Sequence, residues 1–126
     1  MPIFYIKSEF LNKLEQGNKK AELRIGESWR TVAEKIMEGK IKPIAIFKSG
    51  HRVVVREIYR VEIYKSLKRA LSNGRWRSLG LNAKTFHEAV LEIRKLYRRG
   101  GMGPTVIFWL RKPKNIQSSE IIKEID

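Results

Sequence analysis

Apolar and polar positions alternate along this chain in short blocks, and the blocks predict small elements of both kinds. Ile3 to Ile6 reads as an opening strand. Ser8 can cap a short helix that gathers Phe10, Leu11 and Leu14 on one face, with Gly17 placed to stop it. From Lys20 to Ile25 the period drops to two: Ala21, Leu23 and Ile25 point one way, Lys20, Glu22 and Arg24 the other. That pattern predicts a strand with one face buried and one face wet. A second helix follows, capped by Ser28 or by Thr31, which has capping-box spacing to Glu34. Its inward residues are expected to be Val32, Ile36 and Met37, and its stop Gly39.

Ile44 to Phe47 and Arg52 to Tyr64 read as a β-hairpin turning at Ser49-Gly50. A short helix from Ser66 to Leu71 should end before the turn pair Asn73-Gly74. The strongest helix signal opens at Thr85, where Glu88 completes a capping box. Phe86, Val90, Ile93 and Tyr97 recur at helical spacing, and Gly100 ends the run. Thr105 to Leu110 is apolar on both faces, as an interior strand would be. The order β-α-β-α-β-β-α-α-β is not a regular βαβ alternation. It predicts an α+β fold, a small mixed sheet curled into a barrel of about five or six strands with helices at its ends. Residues 1–113 form one domain in this reading. Residues 114–126 form a polar tail in which Ile121, Ile122 and Ile125 suggest a short helix.

Charge changes the picture more than composition does. The 126 residues hold 27 Lys+Arg against 13 Asp+Glu, a formal charge of +14. No acid lies between Glu38 and Glu57, between Glu62 and Glu88, or between Glu92 and Glu120, and lysines and arginines fill all three intervals. Such blocks merge into a positive field that attracts polyanions. Lys/Glu enrichment of a heat-adapted surface would balance the signs, and these are lopsided. The partner expected from charge is a polyanion, such as a nucleic acid. The chain has no cysteine, hence no disulfide, thiol nucleophile or thiolate metal site, and a reducing compartment is expected. The opening residues lack a charged leader and cleavage site, and the longest apolar run, Val106 to Leu110, is too short to span a bilayer. The expectation is a cytoplasmic protein without a membrane partner, monomeric by default.

The candidate chemistry begins at Gly17, Lys19, Glu22 and Arg24. On spacing alone, Lys20, Glu22 and Arg24 could be cross-strand charge pairs on a wet sheet face. The four residues also match the G-x-K-x-x-E-x-R signature of the ASCH domain, a branch of the PUA-like superfamily, which the chain resembles over most of its length. The Tyr64-Lys65-Ser66-Leu67 step, the Thr85-Phe86-His87-Glu88 helix start and the closing apolar strand fit the same resemblance. It implies a small β-barrel whose cleft is lined by the motif's Lys, Glu and Arg, and a family taken to bind RNA, some of whose members act on RNA or modified nucleosides. With that resemblance the partner expected is RNA or another single-stranded nucleic acid. In that reading Arg24 offers a guanidinium fork to phosphate or a base edge, Lys19 a point charge, and Glu22 orients them or accepts from a base amino group. Two departures bear on chemistry. Gly39-Lys40 stands where the family usually has Gly-Asp, which favours phosphate. Glu22 stands where the 4-acetylcytidine amidohydrolases carry Thr, and no acid occurs from Ser66 to Phe86, which counts against that hydrolysis.

The approach surface is expected to include Lys20, Lys40, Arg75, Trp76, Arg77, Arg98 and Arg99. Trp76 between two arginines suits stacking on an unpaired base, or else folds back on the barrel. Trp29 reads as the apolar entry to its helix and Trp109 as core. The Arg98 to Pro104 run resembles a phosphate loop in composition, but it follows a helix and leads into a strand, the reverse of a phosphate cradle. Glu34/Glu38 and Glu88/Glu92 read as solvated helix faces rather than acid–base pairs. His51 and His87 are isolated, so neither a metal nor a cofactor is expected. The second reading is an enzyme, a small hydrolase of RNA or of a modified nucleoside, with Lys19 as base or polariser and Glu22 as its partner in proton transfer. A third is a module that binds an acidic protein.

Overall fold

The computed structural model describes residues 1–97 and 102–114. It contains five strands: β1 (Ile3–Tyr5), β2 (Ala21–Ile25), β3 (Ile44–Ser49), β4 (Arg52–Tyr64) and β5 (Thr105–Arg111). Four helices accompany them: α1 (Ser8–Gln16), α2 (Glu27–Met37), α3 (Leu67–Leu71) and α4 (Phe86–Leu96). A 3₁₀ turn spans Arg75–Leu79. The strands form one mixed sheet in the order β1-β3-β4-β5-β2, with β1 parallel to β3 and the other neighbours antiparallel.

The long hairpin arm β4 bends the sheet. Its first half, Arg52 to Glu57, pairs with β3, and its second half, Glu57 to Tyr64, pairs with β5, with a register shift between Ile58 and Arg60. A bulge at such a change of partner increases local twist and curls the sheet. The result is a half-barrel whose two edge strands, β1 and β2, are drawn together. Nη2 of Arg24 on β2 donates to the carbonyl oxygen of Tyr5 on β1 at 3.1 Å, spanning the seam.

Each face of the sheet carries its own core. On the inner face Phe4, Phe47 and Phe108 are fully buried, with Leu11 and Leu14 from α1 and Ala33 from α2 against them. Phe4 stacks on Trp29 at 4.9 Å between centroids, so Trp29 does serve as the apolar entry to α2. On the outer face Ala21, Leu23, Ile25 and Ile107 meet α3, the 3₁₀ turn and α4. β5 feeds both cores, Val106 and Phe108 inward and Ile107 outward, as its doubly apolar sequence predicts; Trp109 is half-buried, its indole Nε1 donating to Glu62.

Several local expectations change. α2 starts at Glu27 with Gly26 as its cap; Thr31 donates back to the Glu27 carbonyl rather than capping, and Met37 is exposed while Ala33 packs inward. Ser8 is the first helical residue of α1, with Lys7 in the capping position. The cap of α4 is as predicted, Thr85 accepting from Glu88 N–H, while Ser66 caps α3 rather than opening it, accepting from Arg69 N–H. Gly100, Ile121, Ile122 and Ile125 lie outside the described residues.

Candidate functional site

The signature residues meet where β2 approaches the seam. Gly17 ends α1 in the left-handed conformation, and the chain turns so that Lys19 enters the interior just before β2 begins. Lys19 is buried, and its ammonium has three acceptors for its three N–H groups. It donates to the carbonyl oxygens of Ala21 and Leu79, each at 2.9 Å, and pairs with Oε1 of Glu22 at 2.8 Å. Glu22 is 6% exposed, and its other oxygen receives Nε and Nη2 of Arg24 at 3.1 and 2.8 Å. The Arg24 guanidinium lies beside the stacked pair of Phe4 and Trp29, 5.3 and 5.2 Å from their centroids, within cation–π range of both.

Burial by itself would raise the pKa of the Glu22 carboxyl. The two cations beside it, Lys19 first and then Arg24, outweigh burial and hold it below the usual carboxylate value. Glu22 is therefore ionised at neutral pH, one anion shared by two cations. Tyr97, at the C-terminal end of α4, donates its hydroxyl to the Leu23 carbonyl oxygen at 3.2 Å; burial pushes its pKa up to about 12, so it stays protonated.

Above this cluster opens a cleft of about 260 Å³. Glu22, Arg24 and Lys19 form its polar floor, and Phe10, Leu79, Leu81 and Ile93 its apolar walls. Tyr5, Lys7 and Leu96 line it as well and are exposed. Concave, mostly apolar sites with a few convergent polar groups are the usual form of a ligand pocket. This volume lies just under the range of drug-sized ligands, which suits a single planar ring system.

The segment carrying Leu79 and Leu81 is strapped from two sides. Lys13 Nζ donates to the Gly80 carbonyl at 2.8 Å and to Asn82 Oδ1 at 2.9 Å. The Glu92 carboxylate accepts the backbone N–H groups of Asn82 and Ala83. Lys13 did not stand out in the sequence, and of the pair expected on a solvated face Glu88 is exposed, accepting from Lys84 N–H, while Glu92 is half-buried and holds the cleft wall.

Other expected site residues lie elsewhere or are engaged. The strand face of Glu22 and Arg24 is not wet. It turns into the half-barrel interior, Glu22 opposite Phe108 and Arg24 opposite Val106. Lys19 has no spare N–H to give a phosphate, and the Arg24 fork already grips Glu22 and Tyr5; Nη1 alone makes no hydrogen bond among the described residues. Trp76 is buried in the outer core, 8% exposed, because the 3₁₀ turn tucks it under α3 and α4, so it offers no stacking face. Arg77 lies over its ring at 5.0 Å. Arg75 is occupied too, donating to the carbonyls of Ala70 and Arg69 and lying 4.5 Å from the Tyr64 ring. Lys20 and Lys40 are exposed and do not line the cleft, and Lys40 pairs with Glu38 at 2.7 Å. Arg98 and Arg99 lie outside the described residues.

Comparison with solved structures defines the class of fold. A crystal structure of hypothetical protein PH0355 superposes with a TM-score of 0.66 at 22% identity, covering 90% of this chain and 98% of that one. A Pyrococcus furiosus protein solved in solution gives 0.58 at 19% identity, covering 92% and 100%. ASCH from Zymomonas mobilis gives 0.55 at 12% identity, covering 98% and 92%. The chain has an ASCH-like fold, and at these identities the likeness concerns the fold. No family model matches the chain, and no curated protein matches it in sequence. Among the described residues, no helix is long and apolar enough to cross a membrane.

Proposed function

We propose that this chain is an ASCH-domain protein that binds RNA by taking an unpaired base into the cleft above Lys19, Glu22 and Arg24. One observation carries the reading: in a chain of charge +14, Lys19, Glu22 and Arg24 of the G-x-K-x-x-E-x-R signature converge on the floor of an apolar, ring-sized cleft. The division of labour differs from that expected of the sequence. Lys19 and Arg24 fix and ionise Glu22 rather than offering themselves to phosphate. Glu22 retains acceptor capacity on Oε1 for a base N–H, and Nη1 of Arg24 is a donor beside it. The phosphates are left to the exposed lysines and arginines.

The same floor argues against hydrolysis. A carboxylate held ionised by two cations is a poor proton donor, and Lys19, with all three N–H groups engaged, has none left to polarise a substrate. The acidic-partner reading gains nothing from a cleft of this shape.

The test is anisotropy binding of labelled single-stranded RNA, duplex RNA, single-stranded DNA and duplex DNA across a salt series, with wild type and the cleft-filling variant Leu96→Trp side by side. Leu96 is 44% exposed at the cleft, so the larger ring is accommodated without disturbing the core. Wild type should prefer single-stranded RNA and keep that preference at high salt, and the variant should lose it. Equal binding to all four, lost steeply with salt in both proteins, would reduce the interaction to counterion release.

A further inference from the structure

β1 is three residues long, Ile3-Phe4-Tyr5. Phe4 is 0% exposed. Tyr5, the next residue, is 71% exposed, a large aromatic left in water at an apolar cleft that it helps to line. Its position is fixed from below. The Tyr5 carbonyl oxygen receives Nη2 of Arg24, the guanidinium that clamps Glu22 on the cleft floor, and β1 pairs with β3 through Tyr5 opposite Lys48. Lys7, two residues on, adds an exposed cation to the same cleft.

An exposed ring on an anchored backbone, beside an apolar slot, in a strongly basic chain fits one chemistry. We propose that Tyr5 is the stacking platform for the unpaired base, the role that buried Trp76 does not fill. The inference rests on the proposed function and deepens it by assigning where the base's π-face is recognised. Tyrosine suits the task because its ring loses few rotamers on contact. Every base has a π-face, so Tyr5 selects for unpaired bases over duplex and carries little sequence preference. Stacking is also insensitive to salt, whereas the contribution of surface lysines and arginines is not.

The measurement uses a short single-stranded RNA, and the equivalent DNA, each with one 2-aminopurine, titrated into wild type, Tyr5→Ala and Tyr5→Phe across a salt series. Wild type and Tyr5→Phe should change the 2-aminopurine emission on binding. Tyr5→Ala should lose that change and bind roughly ten-fold more weakly at high salt, with the slope of log K against log salt unaltered. A Tyr5→Ala protein that matches wild type in emission and affinity overturns the assignment while leaving RNA binding intact. A wild type that binds neither strand at high salt removes the proposed function, and this inference with it. A loss in Tyr5→Ala that Tyr5→Phe fails to restore points to the hydroxyl rather than the ring, and also overturns it.

Discussion

Glu22 is the residue on which the site turns. A buried carboxylate between an ammonium and a guanidinium is stable only while all three groups stay, because removing one partner strands the others. Glu22→Gln leaves the Lys19 and Arg24 charges in the interior without their counter-ion, and we expect a loss of about 3–5 kcal/mol of stability at neutral pH, measured by urea denaturation. The pH dependence has a definite sign. The folded pKa of Glu22 is lowered from an ordinary value of 4.5, so the stability it confers is complete above about pH 4.5 and is lost as the pH falls from there through the folded value. The gap between wild type and Glu22→Gln should narrow over that interval, and a gap constant down to strongly acid pH would mean that Glu22 is not charged in the native protein. Glu22 and Arg24 were legible in the sequence because charges at strand spacing stand out, and Lys19 only through the resemblance to the G-x-K-x-x-E-x-R signature. Their burial was not: alternation says that one face of β2 is apolar, and nothing in it says that the other face closes against Phe4 and Phe108.

At the scale of elements, the cleft wall depends on the 3₁₀ turn and the strapped loop after it. Gly80 sits there with φ +73, and a Cβ added to it would lie 2.9 Å from Cβ of Lys19. Gly50, at the β3–β4 turn, has φ +60 but open space around its Cα. Both substitutions to alanine pay the left-handed backbone cost of about 1 kcal/mol, but only Gly80→Ala also pushes on the stem of Lys19, for about 1–3 kcal/mol more. Thermal unfolding of the two variants should rank Gly80→Ala clearly below Gly50→Ala. Equal melting temperatures would show that the Lys19 stem yields freely. The turn explains what the sequence obscured. From Asn73 to Ser78 only Trp76 is apolar, which reads as an exposed loop; the tight turn instead carries Trp76 into a core assembled from α3, α4 and β2. The cap of α4 was legible because Thr85 and Glu88 act within one turn. The roles of Lys13 and Glu92 were not, because Lys13 acts on a loop 67 residues away and Glu92 reaches back past its own helix cap to Asn82 and Ala83.

At the scale of the molecule, an open sheet has become a half-barrel with a charged seam. β4 trades β3 for β5 halfway along, the two edge strands converge, and Arg24 spans them. That closure puts a polar floor beneath an apolar cleft, with Tyr5 and Lys7 beside it, and in the proposed function the +14 charge is what draws RNA toward it. The α+β class and the element order were readable from periodicity, since each strand and helix declares its own period. The curl of the sheet was expected from the element order; the contact across its seam was not, because it joins residues 19 apart on strands that do not pair. The central claim is that RNA enters at this seam, and the most direct measurement is a ¹H–¹⁵N correlation spectrum titrated with a short single-stranded RNA at moderate salt. Shifts should concentrate on Tyr5 to Lys7, Leu79 to Leu81, Leu96 and Tyr97, with the Nε–H of Arg24 among them. Small shifts spread over the basic surface, or gathered around Tyr59 on β4 and Arg111 on β5, with the cleft residues unmoved, would contradict it.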